Sequence, residues 1–132
     1  MTVEINGACT FDYAIIRLVP RVEREEFFNV GVILSCPAHK FLEARIYLSE
    51  EKLEILAPGL HSPEDIKHFL DVIPKVCRGG EEAGFLGFLT QRERFYYLTA
   101  QRSTIIQSSP VHTGLTENPA GTLAHLFERN VK

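Results

Sequence analysis

The sequence lacks any long apolar run, and this absence excludes several classes of protein. No segment approaches the ~18 consecutive apolar residues that a membrane-spanning helix needs. The first residues, MTVEINGACTFD, have neither the basic start nor the apolar stretch of a secretory signal. The sequence therefore predicts a cytoplasmic protein that is neither secreted nor inserted in a membrane.

Cysteine is scarce, with three residues in the chain. An odd number of widely spaced cysteines is poor material for a disulfide framework or for a zinc site. Cys9, Cys36 and Cys77 all lie in or beside apolar segments. We therefore expect them to be small buried side chains in a reducing cytoplasm.

An excess of positive charge is also missing. The formal net charge is −3 and the pI is about 5.9, whereas domains whose whole surface binds nucleic acid are usually strongly basic. The chain does contain an aromatic and basic patch of a kind that can stack on bases. Its residues are Tyr96, Tyr97, Arg92, Arg94 and Arg102. Helical spacing favours a core role for part of this patch, so a nucleic-acid partner is not expected.

Motifs with a defined chemistry are absent as well. The chain has no glycine-rich phosphate loop, no nucleophile elbow and no kinase or zinc signature. None of the five histidines pairs with another at metal-ligand spacing. The sequence predicts no metal site and no cofactor, and it leaves open whether the protein is an enzyme.

What the sequence does contain is the pattern of an α+β domain. With 132 residues and neither repeats nor a low-complexity linker, the chain is expected to form a single domain over 1–132. Its first half is rich in β-branched and aromatic residues, and its second half has helical periodicity. We predict an antiparallel sheet of about four strands with three helices packed on it.

Four segments have the composition of strands: 13–19, 27–34, 41–48 and 103–107. The first is apolar at both parities, which indicates a strand that is covered on both faces and central in the sheet. A short polar connection joins it to the second, so the two should form an antiparallel hairpin. Gly31, inside the second strand, indicates a bulge or the close approach of another backbone.

Three helices are predicted from capping residues and apolar spacing. The first begins at the Ser-Pro pair of 62–63, and Pro74 should end or kink it. The second opens with a capping box formed by Thr90 and Glu93. The third begins at 118–119 and carries a single apolar stripe.

Charged residues interrupt the predicted hairpin and form part of a candidate site. Arg17 lies on an otherwise apolar strand, where a guanidinium needs a partner. The hairpin places Asn29 or its neighbour opposite Arg17, with Arg24 and Glu26 near the turn. Two interpretations stay open: a structural network of arginine, glutamate and asparagine that sets the register, or a cradle for an anion or polar ligand.

The segment after the fourth strand, 108–114, has the serine, proline and glycine composition of a structured loop. His112 lies in this segment, where a general-base role and a structural hydrogen-bonded role are both open. The full set of ligand-binding candidates is Arg17, Arg24, Glu26, Asn29, Arg102, Ser109, His112 and Thr113.

A combination of three stretches is specific enough to indicate a protein family. The stretches are YAIIRLVP at 13–20, REEFFNVGVIL at 24–34 and SPVHTGL at 109–115. Together they resemble a bacterial family named domain of unknown function 3037, over about 12–131. Arg21 and Glu25 depart from the pattern of that family, so the resemblance implies nothing about them. It implies a stand-alone cytoplasmic protein without an assigned reaction. Genes of such proteins often neighbour a HipA-like kinase, which implies a protein partner of that kind.

These observations predict a cytoplasmic binding or accessory module with a polar pocket for a partner or a small anionic ligand. A loop at 109–114 within hydrogen-bond reach of Arg17 or Arg24 would support that pocket. One alternative is a hydrolase or transferase of phosphoester or nucleotide substrates, with His112 or Glu26 as general base. The other alternative is that the polar residues are purely structural.

Overall fold

The chain folds into a six-stranded antiparallel sheet with helices on both faces. The computed structural model describes residues 4, 5 and 7–132. The strands are Glu4–Ile5 (β1), Ala8–Leu18 (β2), Phe28–Cys36 (β3), Phe41–Ile46 (β4), Ile106–Ser108 (β5) and His112–Thr116 (β6). The α-helices are Glu50–Leu56 (α1), Pro63–Arg78 (α2), Gln91–Thr99 (α3) and Pro119–Asn130 (α4). The predicted α+β fold with an antiparallel sheet is confirmed, and no helix of the described residues is long and apolar enough to cross a bilayer.

β2 is the central strand, as its apolarity on both faces predicts. β3 and β6 both pair with Tyr13, so they lie on opposite edges of β2. β5 continues the β6 edge, and β4 pairs with the outer side of β3. β5 and β6 are therefore two halves of one long outer strand.

Apolar side chains alternate between two cores on the two faces of the sheet. Ile16 and Leu18 of β2 belong to a buried cluster that includes residues of α1, α2 and α3. Phe11 and Ile15 belong to a second cluster, which includes Phe127 of α4. Because side chains alternate along a strand, burial on both faces requires apolar residues at both parities.

A bulge interrupts the pairing of β2 with β3. Ile16 pairs with Gly31, but the next residue, Arg17, pairs with Asn29, so Val30 is an extra residue in β3. The predicted placement of Asn29 opposite Arg17 is confirmed. The prediction for Gly31 is also confirmed, because the backbone of β4 approaches it closely.

A second irregularity lies on the other edge of β2, between β5 and β6. Tyr13 pairs with His112 and Ile16 pairs with Ser108, which leaves one extra residue in the outer strand. Pro110 lies in this interruption. A proline has no backbone N–H for a ladder, so it fits a bulge at a sheet edge.

The predicted loop at 108–114 is wrong in its second half, because His112–Thr116 forms β6. The composition of the segment is that of a loop, but pairing with β2 holds its backbone extended. A Cβ on Gly114 would lie 2.8 Å from the ring of Phe11, so this ring covers the glycine. The neighbouring strand prediction, 103–107, is shifted, because β5 begins at Ile106.

Pro74 does not end α2, which continues to Arg78 and closes at Gly79. A proline removes one helical hydrogen bond, which is a limited loss near the end of a helix. Val76 and Cys77 are buried in the last turn, and their burial stabilises the helix beyond the proline.

α1 has no counterpart among the predicted helices. Only Leu53 of its seven residues is buried, so the segment has no apolar stripe that periodicity could detect. Its start is nevertheless capped, since the Oγ of Ser49 accepts a hydrogen bond from the N–H of Lys52 at 3.2 Å.

The three cysteines are buried, as predicted. Desolvation by burial raises the pKa of the Cys77 thiol to about 12 and also raises the pKa of Cys36. The thiolate is the reactive form of cysteine, so these two side chains should be inert while the protein is folded.

We expect the native protein to react slowly with a disulfide reagent such as Ellman's reagent at neutral pH. All three thiols should react quickly in guanidinium chloride, because unfolding removes the burial that disfavours the thiolate. The release of the coloured thiolate over time measures both rates. Rapid labelling of more than one thiol per chain before unfolding would contradict the buried placement.

Gly31→Ala should destabilise the sheet. A Cβ at this position would lie 2.7 Å from the carbonyl oxygen of Arg45 and 2.7 Å from the Cδ1 of Ile46. The carbonyl belongs to paired backbone, so relief requires a shift of β4. We expect the free energy of unfolding to fall by about 1–3 kcal/mol in chemical denaturation. An unchanged denaturation midpoint would contradict this prediction, because it would show that β4 can shift without a loss of stability.

Candidate functional site

Arg17 is held by an aromatic ring and forms no ion pair within the part of the chain that the structure describes. Its Cζ lies 4.4 Å from the ring centroid of Phe27, a cation–π distance. Its Nε is buried and has no hydrogen-bond partner among the described residues. A buried donor without a partner lowers the stability of the fold, so a hydrogen-bond acceptor placed next to this Nε would be favourable.

Asn29 and the Arg24–Glu26 pair are engaged separately from Arg17. The Nδ2 of Asn29 donates to the carbonyl oxygen of Asn130 at 2.9 Å, at the end of α4. The Nη1 of Arg24 lies 3.5 Å from the Oε1 of Glu26, and 60% and 49% of these side chains is exposed. An exposed ion pair of this kind contributes little to stability.

The 109–114 segment bonds to β2 itself. The N–H of Ser109 donates to the carbonyl oxygen of Ile15 at 2.8 Å, and its Oγ accepts from the N–H of Ile15 at 2.8 Å. The ring of His112 lies 5.3 Å from that of Tyr13, and His112 is exposed. Among the described residues, none of these groups forms a hydrogen bond with Arg17 or with the Arg24–Glu26 pair. The predicted residues are therefore not gathered in one pocket, and a ligand-binding role for them stays a prediction.

The aromatic and basic patch on α3 also divides into separate contacts. The Nη2 of Arg102 donates to the carbonyl oxygen of Tyr97 at 2.6 Å, and its Cζ lies 4.6 Å from the Tyr97 ring centroid. Arg94 instead donates to the carbonyl oxygens of Val76 at 2.9 Å and Leu89 at 3.1 Å. Arg94 thus supplies donors to the C-terminal carbonyls of α2, a structural role.

A cavity of about 480 Å³ that is lined mostly by polar residues lies between the sheet and the N-terminal half of α3. Its size falls within the roughly 300–1,000 Å³ of small-molecule sites. Of the predicted site residues, Thr113 is the one that lines it. Ser35 lies on the sheet side, and Gln91, Arg92 and Tyr96 lie on the helix side.

The floor of the cavity is a row of three polar side chains on three adjacent strands. Asp12 of β2 pairs with Ser35 of β3 on one side and with Thr113 of β6 on the other. Directly opposite residues share a face of a sheet, so all three project toward α3. The hydroxyl of Thr113 donates to the Oδ1 of Asp12 at 2.6 Å. The Oδ2 of Asp12 forms no hydrogen bond with another described residue.

The roof of the cavity is anchored to the sheet by Gln91. Its Nε2 donates to the Oγ of Ser35 at 3.1 Å and to the carbonyl oxygen of Phe41 at 3.0 Å. The predicted capping box is confirmed: the Thr90 hydroxyl accepts from the N–H of Glu93, and the Glu93 carboxylate accepts from the N–H of Thr90. The hydrogen bond from the Thr90 backbone lowers the pKa of Glu93. These contacts hold the start of α3 in place over the cavity.

The mouth of the cavity carries a cation on an aromatic ring. The Nε of Arg92 donates to the Oη of Tyr96 at 3.2 Å, and the Cζ of Arg92 lies 5.3 Å from the ring centroid. Asp12 is the one acid and Arg92 the one base among the described lining residues. The cavity therefore offers one negative group at its floor and one positive group at its mouth.

Asp12 was missed by sequence reasoning, although a signal for it exists. The side chains of Ala14, Ile16 and Leu18, at the same parity of β2, are buried in the core that faces α2. A carboxylate that continues such an apolar series needs a polar environment. The described residues contain no group of three or more histidine, cysteine, aspartate or glutamate side chains that could hold a metal ion.

A family model described as "Protein of unknown function (DUF3037)" matches residues 13–131. The chain belongs to this family. The DUF3037 match confirms the resemblance carried by the three sequence stretches. It includes Ser35, Gln91, Arg92 and Thr113 of the cavity, whereas Asp12 directly precedes it. No curated protein and no solved structure matches the chain.

Arg17→Met separates a packing role from a polar role at this position of the DUF3037 chain. Methionine keeps an unbranched side chain that can pack on Phe27 and removes the buried Nε without a partner. We expect thermal and chemical denaturation to give a stability equal to wild type or up to about 1–3 kcal/mol higher. The control is Asn29→Ala, which loses a hydrogen bond to α4 and should destabilise. A marked loss of stability in Arg17→Met would support a structural network.

Proposed function

We propose that this DUF3037 protein is a binding module and that the cavity under α3 is its ligand site. The observation that carries the proposal is the Asp12 carboxylate, which Thr113 holds through one oxygen while the other has no partner among the described residues. A preoriented acceptor at the floor of a cavity favours ligands that bring a hydrogen-bond donor.

The charges of the cavity define the chemistry of the ligand. Asp12 favours a ligand with a hydrogen-bond donor or a positive group at the floor. Arg92 favours a ligand with an anionic or aromatic group at the mouth. The volume accommodates a molecule of amino-acid to nucleoside size or one polar side chain of a partner. We therefore propose a small ligand that carries groups of both kinds, in place of the purely anionic ligand expected from the arginines of the hairpin.

Ligand-observed NMR with a panel of amino acids, amino sugars, nucleosides, simple carboxylates and inorganic phosphate tests the proposal. We expect at least one compound with an amino group to bind. Asp12→Asn should weaken that binding about tenfold or more, because a hydrogen bond to a charged group is worth about 1.5–3 kcal/mol. Arg92→Gln should weaken the binding of compounds that also carry a carboxylate.

Asp71→Asn is the matched control, since Asp71 is an exposed acid on α2 that does not line this cavity. Its affinity for the bound compound should equal that of wild type. The proposal fails if no compound of the panel binds, or if binding is indifferent to both cavity variants.

A further inference from the structure

A second concave surface lies beside the C-terminal half of α3, where α2, α3 and β5 meet. It is an apolar groove of about 180 Å³, with Ile16 and Ile106 among its lining residues. Phe69 and Val72 of α2 and Tyr97 of α3 also line it, and they are 55%, 45% and 45% exposed. Three large, exposed apolar side chains around one groove are typical of an interaction site.

β5 presents a partly open backbone edge beside this groove. The C=O of Ile105 accepts from the N–H of Val19, directly after β2, and the N–H of Ser109 donates to the C=O of Ile15 in β2. Backbone groups alternate in direction along an antiparallel strand, so those of Ile106 and Ser108 point away from β2. The hydroxyl of Thr104 donates to the carbonyl oxygen of Ile106 at 2.9 Å, and no strand of the described residues pairs with this edge.

The two outer edges of the sheet differ in charge. β4, at one edge, carries the exposed residues Glu43 and Arg45. β5 and β6, at the other edge, have the sequences IQS and HTGLT and carry no acidic, lysine or arginine side chain. Charges on an edge strand oppose pairing with another strand. The β5 edge lacks charged side chains, and the bulge at Pro110 limits pairing to the part of the edge before it.

The groove beside β5 has a positive charge in its lining. Arg102 is the one charged residue among the described residues that line the groove. On the other face of the sheet, Arg17 pairs with Gln107 of β5, and its Nε has no partner in the described part of the chain. An acidic group of a segment that docks here can therefore pair with Arg102.

We propose that the β5 edge binds an extended segment of a protein partner. The segment adds a strand to the sheet, inserts an apolar side chain between Phe69, Val72 and Tyr97, and places an acidic side chain against Arg102. Backbone hydrogen bonds to the open edge supply affinity, and the groove and the arginine supply selectivity. This surface is separate from the cavity under α3. The peptide-binding and ligand-binding proposals can therefore be tested independently.

Selection of phage-displayed random heptapeptides on the whole chain tests the proposal. We expect enrichment of peptides that alternate apolar residues and contain at least one acidic residue. The most enriched peptide is then synthesised, and its affinity is measured by fluorescence anisotropy. Failure to enrich any sequence family, or enrichment of basic peptides, would overturn the proposal.

Three variants locate the binding on the chain. Ser108→Pro removes an outward N–H, Phe69→Ser removes one wall of the groove, and Arg102→Glu reverses its charge. Each should weaken binding of the selected peptide at least tenfold, and the thermal midpoint verifies folding. Phe69→Ser keeps the test decisive if the proline variant does not fold.

Ile55→Ser is the matched control, because Ile55 is an apolar residue of α1 that is 71% exposed and does not line the groove. It should leave the affinity unchanged. Equal loss of affinity in Ile55→Ser would indicate nonspecific apolar binding and overturn the proposal. A dimer in analytical ultracentrifugation that Ser108→Pro abolishes would identify a second copy of the chain as the occupant, which also overturns it.

Discussion

The sheet depends on β2, which needs backbone partners on two edges and apolar cover on two faces. The hairpin with β3 satisfies one edge, and β5 and β6 satisfy the other. The cover comes from α1, α2 and α3 on one face and from α4 on the other. An unsatisfied polar group is costly in a strand that is buried in this way, so its few polar side chains mark special positions.

Asp12, in the middle of β2, and Arg17, next to its last residue, are polar side chains on opposite faces of that buried strand. Asp12 lies beyond the apolar series of one face and accepts a hydrogen bond from Thr113, which leaves room for water or a ligand beneath α3. Arg17 lies beyond the apolar series of the other face and stacks on Phe27. Both side chains are only partly buried, so the apolar cover of β2 is incomplete at these two positions.

Sequence reasoning found the features that depend on local pattern and missed those that depend on distant pairing. The two-sided apolarity of β2, the register of Asn29 and the capping box at Thr90 follow from periodicity and from contacts within a few residues. β6 was missed because its composition is that of a loop, and only pairing with β2 makes it a strand. The cavity was missed for the same reason, since its floor joins residues of three strands that no local pattern relates.

The long outer strand has a kinetic consequence. The bond between Ser109 and Ile15 spans 94 residues of sequence, and that between Thr113 and Asp12 spans 101. Contacts of such high order form late, because loop closure must precede them. On a ribosome, the early hairpin can form while the outer strand is still unsynthesised. The floor of the cavity and the β5 edge both require the outer strand to be paired with β2, so a chain that displays either surface has joined its last strands to its first.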